Sequence, residues 1–335
     1  MSGRYEEGLK LSWEGLAEAE ALGDEEVTAD ALRGIGTIRA SQGDEKGLAD
    51  LERSAELGEK LSDPLMIHRA LNNLANMYWH FGRIDEGAHY LRLDREMQER
   101  FGLTPESATM RWIQGEEVFL LEQSGEWQLA LRDGREFLAA LGDDRHYLVA
   151  SVLMVSSSAL GAQGDVSGAN EYSQRALELA REIEDPQSLH SALVFRAKAL
   201  LLEGKRRESE ALIEEFFAAE PKLNEWFFKD LPSVMLDLGR ETEYLERAKD
   251  APSTLWLEAG KAVANHDFAA AAGLYERIGA KGLEAIARLH AAEDAAAAGR
   301  RSEADAQLAK AQRFFEAEGA KPYLRRCETL LAAAS

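Results

Sequence analysis

The sequence predicts an all-α chain folded as a right-handed solenoid of antiparallel helix pairs. Apolar residues recur at spacings of three and four throughout, the period of a helix buried on one face, and β-branched residues are scarce. A turn glycine returns in constant phase: Gly43, Gly82, Gly125, Gly164 and Gly204 lie 39 to 43 residues apart. A second mark, an Asp just before a helical run, sits between the units in "LGDEE" (22–26), "LSDPL" (61–65), "LGDDR" (141–145) and "IEDPQ" (183–187). Asp there accepts the first free N–H groups of a helix, and glycine leaves a helix in the left-handed conformation. One repeat is therefore two helices, a tight turn between them and a capped connection to the next pair.

Taken in order, residues 2–26 read as a turn and second helix whose first helix is missing. A repeat buries its apolar face only against its neighbours, so a start in mid-repeat suggests a fragment of a longer chain. Regular pairs then run to about residue 222, with prolines 64, 105 and 186 placed where a missing N–H costs little. From 223 to 335 the period shortens and His266 stands where a turn glycine is expected. We read this part as degenerate pairs continuous with the first, ending in a capping helix over "YLRRCETLLAAA" (323–334). The expected total is about eight pairs plus the unpaired N-terminal helix.

Leu71, Leu74, Ala75, Tyr78 and Gly82 in "LNNLANMYWHFG", with Ala130 and Ala169 five places after their turn glycines, resemble the signature of tetratricopeptide repeats in a long-period form. The order "DFAAAAGLYERIG", "EAIARLHAAEDAAAAGRRSEADAQL" and "FFEAEGAKPYLRRCETLLAAA" is similar to the C-terminal regions of large bacterial regulators. Those proteins join repeats to AAA/STAND ATPases with nucleotide cyclase or DNA-binding modules, and the maltose-regulon activator has a related helical region. The resemblance implies a protein-interaction or sensor role and upstream ATPase or cyclase domains in the same full-length chain. No GxxxxGK[ST] is present, so no nucleotide chemistry transfers to these residues.

Composition narrows the partners. Thirty-nine Lys and Arg against 60 Asp and Glu give a formal charge of −21, which repels phosphate backbones and argues against nucleic acid. The basic cluster "GKRRE" (204–208) reads as a solvated corner. No apolar run approaches a bilayer span, and the polar N-terminus predicts no signal peptide. The single Cys327 allows no intrachain disulfide and no cysteine-based zinc site, and it fits the reducing cytoplasm.

No enzyme emerges, and no cofactor or metal is expected. His290 and Glu293 read as solvent-facing helix residues. "GDDRH" (142–146) reads as a cap with first-turn acids, and Glu116 and Glu117 point about 100° apart on one helix. The run "VSSSAL" (155–160) lacks a nucleophile elbow and reads as small residues for close helix approach. An enzyme using a buried carboxylate pair is the outlying alternative.

Binding is the expected role. The resemblance implies that first helices line a concave groove. With Leu71 at 0°, Leu74, Ala75 and Tyr78 form the core face, and Arg69, Asn72, Asn76 and Trp79 fall near 80–160°, on a stripe beside it. Carrying that frame along the repeats adds Trp112, Phe119, Met154, Val194 and Lys198. The expected groove is thus aromatic and apolar in its middle, with an asparagine pair at one edge for a protein or peptide partner. A stand-alone receptor for a peptide or small ligand is the alternative.

Overall fold

The structure is a computed structural model that describes residues 5–141, 147–223 and 228–332. Among the described residues there are eighteen helices and no strand. They divide into two compact units, Met1–Glu117 and Val118–Ser335.

The first unit holds α1 (Tyr5–Leu22), then the pairs α2 (Glu25–Ser41) with α3 (Lys46–Leu61) and α4 (Pro64–His80) with α5 (Ile84–Arg100), and the start of α6 (Ala108–Gln123). The second holds the end of α6 with α7 (Trp127–Leu141), α8 (Tyr147–Gln163) with α9 (Val166–Ile183), and α10 (Pro186–Leu202) with α11 (Arg206–Ala218). Shorter helices follow: α12 (Leu231–Asp237), α13 (Glu241–Arg247), α14 (Leu255–Ala264) and α15 (Phe268–Ile278). The chain ends in α16 (Lys281–Ala297), α17 (Arg301–Glu318) and α18 (Lys321–Ala332). These are eight pairs, a preceding helix and a closing one, as the repeat marks predict.

Both marks do their expected work. Asp24, Asp63 and Asp185 accept N–H groups at the starts of α2, α4 and α10 at 2.9–3.1 Å. The Asp of "GDDRH" lies outside the described residues. The five turn glycines all have positive φ, and His266 adopts φ 58° in their place. For a side chain with a Cβ that backbone costs about 1 kcal/mol or more.

The compact units part inside α6, whereas the loss of repeat regularity begins near residue 222. The reason lies in the second unit. Its last three helices come back onto its first pairs, where Trp127, Leu131, Leu160, Leu289, Phe315 and Cys327 share one buried cluster. The main-chain N–H of Gln128, in the first turn of α7, donates to the Glu318 carboxylate 190 residues away at 3.0 Å. Gly282 lies so close to the Trp127 ring that a Cβ there would stand 2.5 Å from it.

Candidate functional site

In the first unit the candidate stripe belongs to α4. Ile67, Leu71 and Leu74 enter a core with Leu48, Leu51 and Met97, which fixes the helix rotation. Trp79 lies against α5, where a Cβ on Gly87 would meet its Nε1 at 2.3 Å. On the opposite side Asn73 Nδ2 donates to Thr37 Oγ1 of α2 at 2.9 Å. Asn76 is half-buried and Nδ2 turns back to the Asn72 carbonyl oxygen at 2.9 Å. Arg69 is exposed and Arg33 on α2 is half-buried, holding Asp30 at 2.6 Å. Residues three and four apart share a helix face, so Arg69, Asn73 and Asn76 of α4 and Arg33 and Thr37 of α2 form one accessible polar ladder.

This corrects the expected stripe. Trp79, Phe119, Met154 and Val194 are between 0% and 9% exposed, and Asn72 is buried with them. They present no apolar floor to a partner. α4 packs against its own second helix α5 and against α2, and α8 and α10 pack against each other and against α9, so a stripe 80–100° from the core is itself interior. The accessible face of α4 runs from about 140° to 200°, over Asn76, Arg69 and Asn73, on the side away from Leu71. Trp112 is half-buried on α6, and Arg69 and Asn76 keep access.

In the second unit the stripe's last member leads to an unexpected cluster. Lys198 Nζ, on α10, contacts Ser158 Oγ of α8 at 3.1 Å and Asp230 Oδ1 at 2.5 Å. Lys229 Nζ reaches the other Asp230 oxygen at 2.9 Å and the Glu122 carboxylate at 3.1 Å. Lys229, Asp230 and Glu122 are all buried. Burial opposes the charged form of Lys229, but the carboxylates of Asp230 and Glu122 overcome it and hold its pKa above the usual lysine value. The same opposition acts on Asp230, whose pKa is held below the carboxylate range by Lys198 and Lys229. Two cations and two anions thus balance inside the protein, where an unpaired one would be costly.

Sequence reading missed Lys229, Asp230 and the role of Glu122. The available signal was an adjacent Lys–Asp pair in "WFFKDLPSV" (226–234), since charges within an apolar run need partners when buried.

The remaining sequence candidates are structural. His290 stacks on Phe268 at 4.8 Å and is half-buried, and Glu293 holds Arg326 of α18 through two contacts at 2.7 and 3.0 Å. They are packing groups rather than solvent-facing ones. Glu117 pairs with Arg95, while burial pushes the Glu116 carboxyl up to about 7. Ser157 Oγ donates to the Ala169 carbonyl at 2.7 Å, and Gly134 passes close to Ser156 Oγ, as expected for close helix approach. Arg206 of "GKRRE" donates to carbonyl oxygens at the end of α12, including that of Asp237 at 2.9 Å. No helix is long and apolar enough to cross a membrane among the described residues.

The class defined by these pairs is an all-α helical-repeat array of tetratricopeptide-like type. Solved structures agree on the fold. BtubC (BKLC) from P. vanneervenii is 19% identical with a TM-score of 0.52, over 65% of this chain and 91% of that one. A Rap protein complexed with competence and sporulation factor is 15% identical with a TM-score of 0.51, over 86% of this chain and 76% of that one. No family model and no curated protein matches the chain.

Proposed function

We propose that this chain is a non-catalytic protein-interaction or sensor region of a larger bacterial signalling or transcriptional regulator. It takes a partner protein or peptide on the first helices of its first unit. The observation that carries the reading is the polar ladder across α2 and α4. Thr37 and Asn73 join the two helices, and Arg33, Arg69 and Asn76 stand beside them with access to solvent. Asparagine amides donate and accept at once, which suits a peptide backbone, and arginine selects for carboxylates. The Rap protein of similar fold was crystallised with competence and sporulation factor, which supports a binding role for such an array. The C-terminal segments that resemble bacterial regulators support the larger context and the cytoplasmic setting.

The test is selection of binders from a random peptide library on the intact chain. The triple variant Arg69→Ala, Asn73→Ala, Asn76→Ala should weaken the selected peptides at least tenfold, and exposed Gln174→Ala in α9 should leave them unchanged. Equal affinity for the triple variant with unchanged helicity rejects this location.

A further inference from the structure

In the second unit an open groove of ≈ 460 Å³ lies where the α8–α9 turn meets the α17–α18 turn, and Gln128, Gln163, Asp165, Glu318, Lys321 and Arg325 line it. By the measure in which one water needs about 10–15 Å³, this is room for at least about thirty waters, a space for a small molecule rather than a single ion. Hydrogen bonds fix its walls. Gln128 Nε2 donates to the Ala317 carbonyl oxygen at 2.6 Å, and Gln163 Nε2 donates to that of Glu318 at 3.3 Å. Gly164, at φ 92°, lets its turn come against α18, where a Cβ would stand 3.1 Å from Pro322 Cγ.

The charges on these walls stand apart. Asp165 Oδ1 accepts from the Gly168 N–H at 2.9 Å and Glu318 Oε2 from the Gln128 N–H at 3.0 Å, while the other oxygen of each carboxylate accepts no hydrogen bond among the described residues. Lys321 and Arg325 are exposed and lie four apart on α18, on one face, where like charges repel. Neither has an ion-pair partner among the described residues, although the chain has 60 acids for 39 bases. The groove therefore holds two acids and two bases that attract across it without meeting. An anion alone would meet Lys321 and Arg325 but lie beside Asp165 and Glu318, and a cation alone would face the converse. A guest that carries both signs satisfies both pairs.

We propose that this groove binds a small zwitterion of the amino-acid or dipeptide class. Its ammonium donates to the Asp165 and Glu318 carboxylates, and its carboxylate accepts from Lys321 and Arg325. The site lies in the second unit and is separate from the polar ladder of the first.

The test uses the whole chain labelled with ¹⁵N at glycine, because Gly164 and Gly319 also line the groove and report on it directly. It is titrated at constant ionic strength with glycylglycine, with N-acetylglycylglycine, which lacks the cation, and with glycylglycinamide, which lacks the anion. The expected result is a saturable shift of the Gly164 and Gly319 signals with glycylglycine, with binding at least tenfold weaker for both blocked forms. The double variant Lys321→Ala, Arg325→Ala should weaken glycylglycine at least tenfold. Asp165→Asn, which keeps a capping oxygen and removes the charge, should weaken it about threefold or more. If a variant fails to fold, the ranking of the three compounds on the wild-type chain still decides. No saturable shift, equal binding of either blocked form, or undiminished binding by the folded double variant would each overturn the assignment.

Discussion

Trp79 and Trp127 are held by the same device at different reach. Each ring lies against a glycine that leaves no room for a Cβ: Gly87 for Trp79, and Gly282 for Trp127. The first contact joins the two helices of one pair, α4 and α5. The second ties α7 to α16, across most of the second unit. The buried polar groups differ in the same way. In the first unit His68 Nδ1 meets Asp94 at 2.7 Å and Gln98 donates to Asp94 at 3.1 Å, all within one pair. In the second, Lys229 meets Glu122 from 107 residues away. One unit is stabilised by neighbours in sequence and keeps its first-helix ladder accessible. The other is stabilised by long-range closure, and its polar groups become interior.

The largest expected effect breaks the long-range cluster. Asp230→Ala leaves Lys198 and Lys229 without their shared carboxylate and should cost about 3–5 kcal/mol in urea unfolding. A loss below about 1 kcal/mol would mean that the cluster is hydrated and the closure loose.

The next effect probes the first unit through pH. Burial lowers the His80 pKa from 6.5 to about 4. The unfolded chain then binds a proton there between those values and the folded one does not, so stability falls as pH drops from about 6.5 to 4. The full span is worth about 3 kcal/mol. Half-buried Glu116 works in the opposite direction, its raised pKa removing stability as pH rises from about 4.5 to 7. His80→Leu isolates the first contribution. Wild type minus variant should lose stability progressively below pH 6.5, and a flat difference would show that His80 is not sheltered.

A smaller effect compares the two glycines directly. At Gly87 a Cβ would also come within 2.9 Å of the Ala75 main-chain oxygen, which cannot swing away, whereas at Gly282 the three nearest atoms all belong to the Trp127 ring. Alanine gains at most about 1 kcal/mol of helix propensity, and less at Gly282 in the first turn of α16, against an overpacking cost of about 1–3 kcal/mol. Gly87→Ala should therefore lower the melting temperature more than Gly282→Ala. The reverse order would place the tighter contact in the second unit.

The repeat was legible because its signals are local. A capping Asp and a left-handed glycine act within four residues of themselves, so Asp24, Asp63, Asp185 and the turn glycines could be read from spacing alone. The return of α16–α18 was not legible, because nothing near Trp127 specifies that Gly282 will be its neighbour. The site failed in part for a related reason. Helical angles place Asn72 and Trp79 correctly relative to Leu71, but not the extra cover supplied by adjacent repeats. That cover turns Met154 and Val194 inward and leaves Asn76, Arg69 and Asn73 on the accessible face of α4. Lys198 was singled out for a groove and belongs instead to a buried cluster, whose other members lie on segments far apart in sequence.

The return of the C-terminal helices is tested most directly by amide exchange at Gln128. Its N–H is capped by a carboxylate from the end of α17, so Glu318→Ala should speed exchange there by about 2- to 30-fold, the range of a lost helix cap of about 0.5–2 kcal/mol. Exchange at Gly168, capped locally by Asp165 at 2.9 Å, should not change. Unaltered exchange at Gln128 in a folded Glu318→Ala protein would contradict the closure on which the contrast between the two units rests.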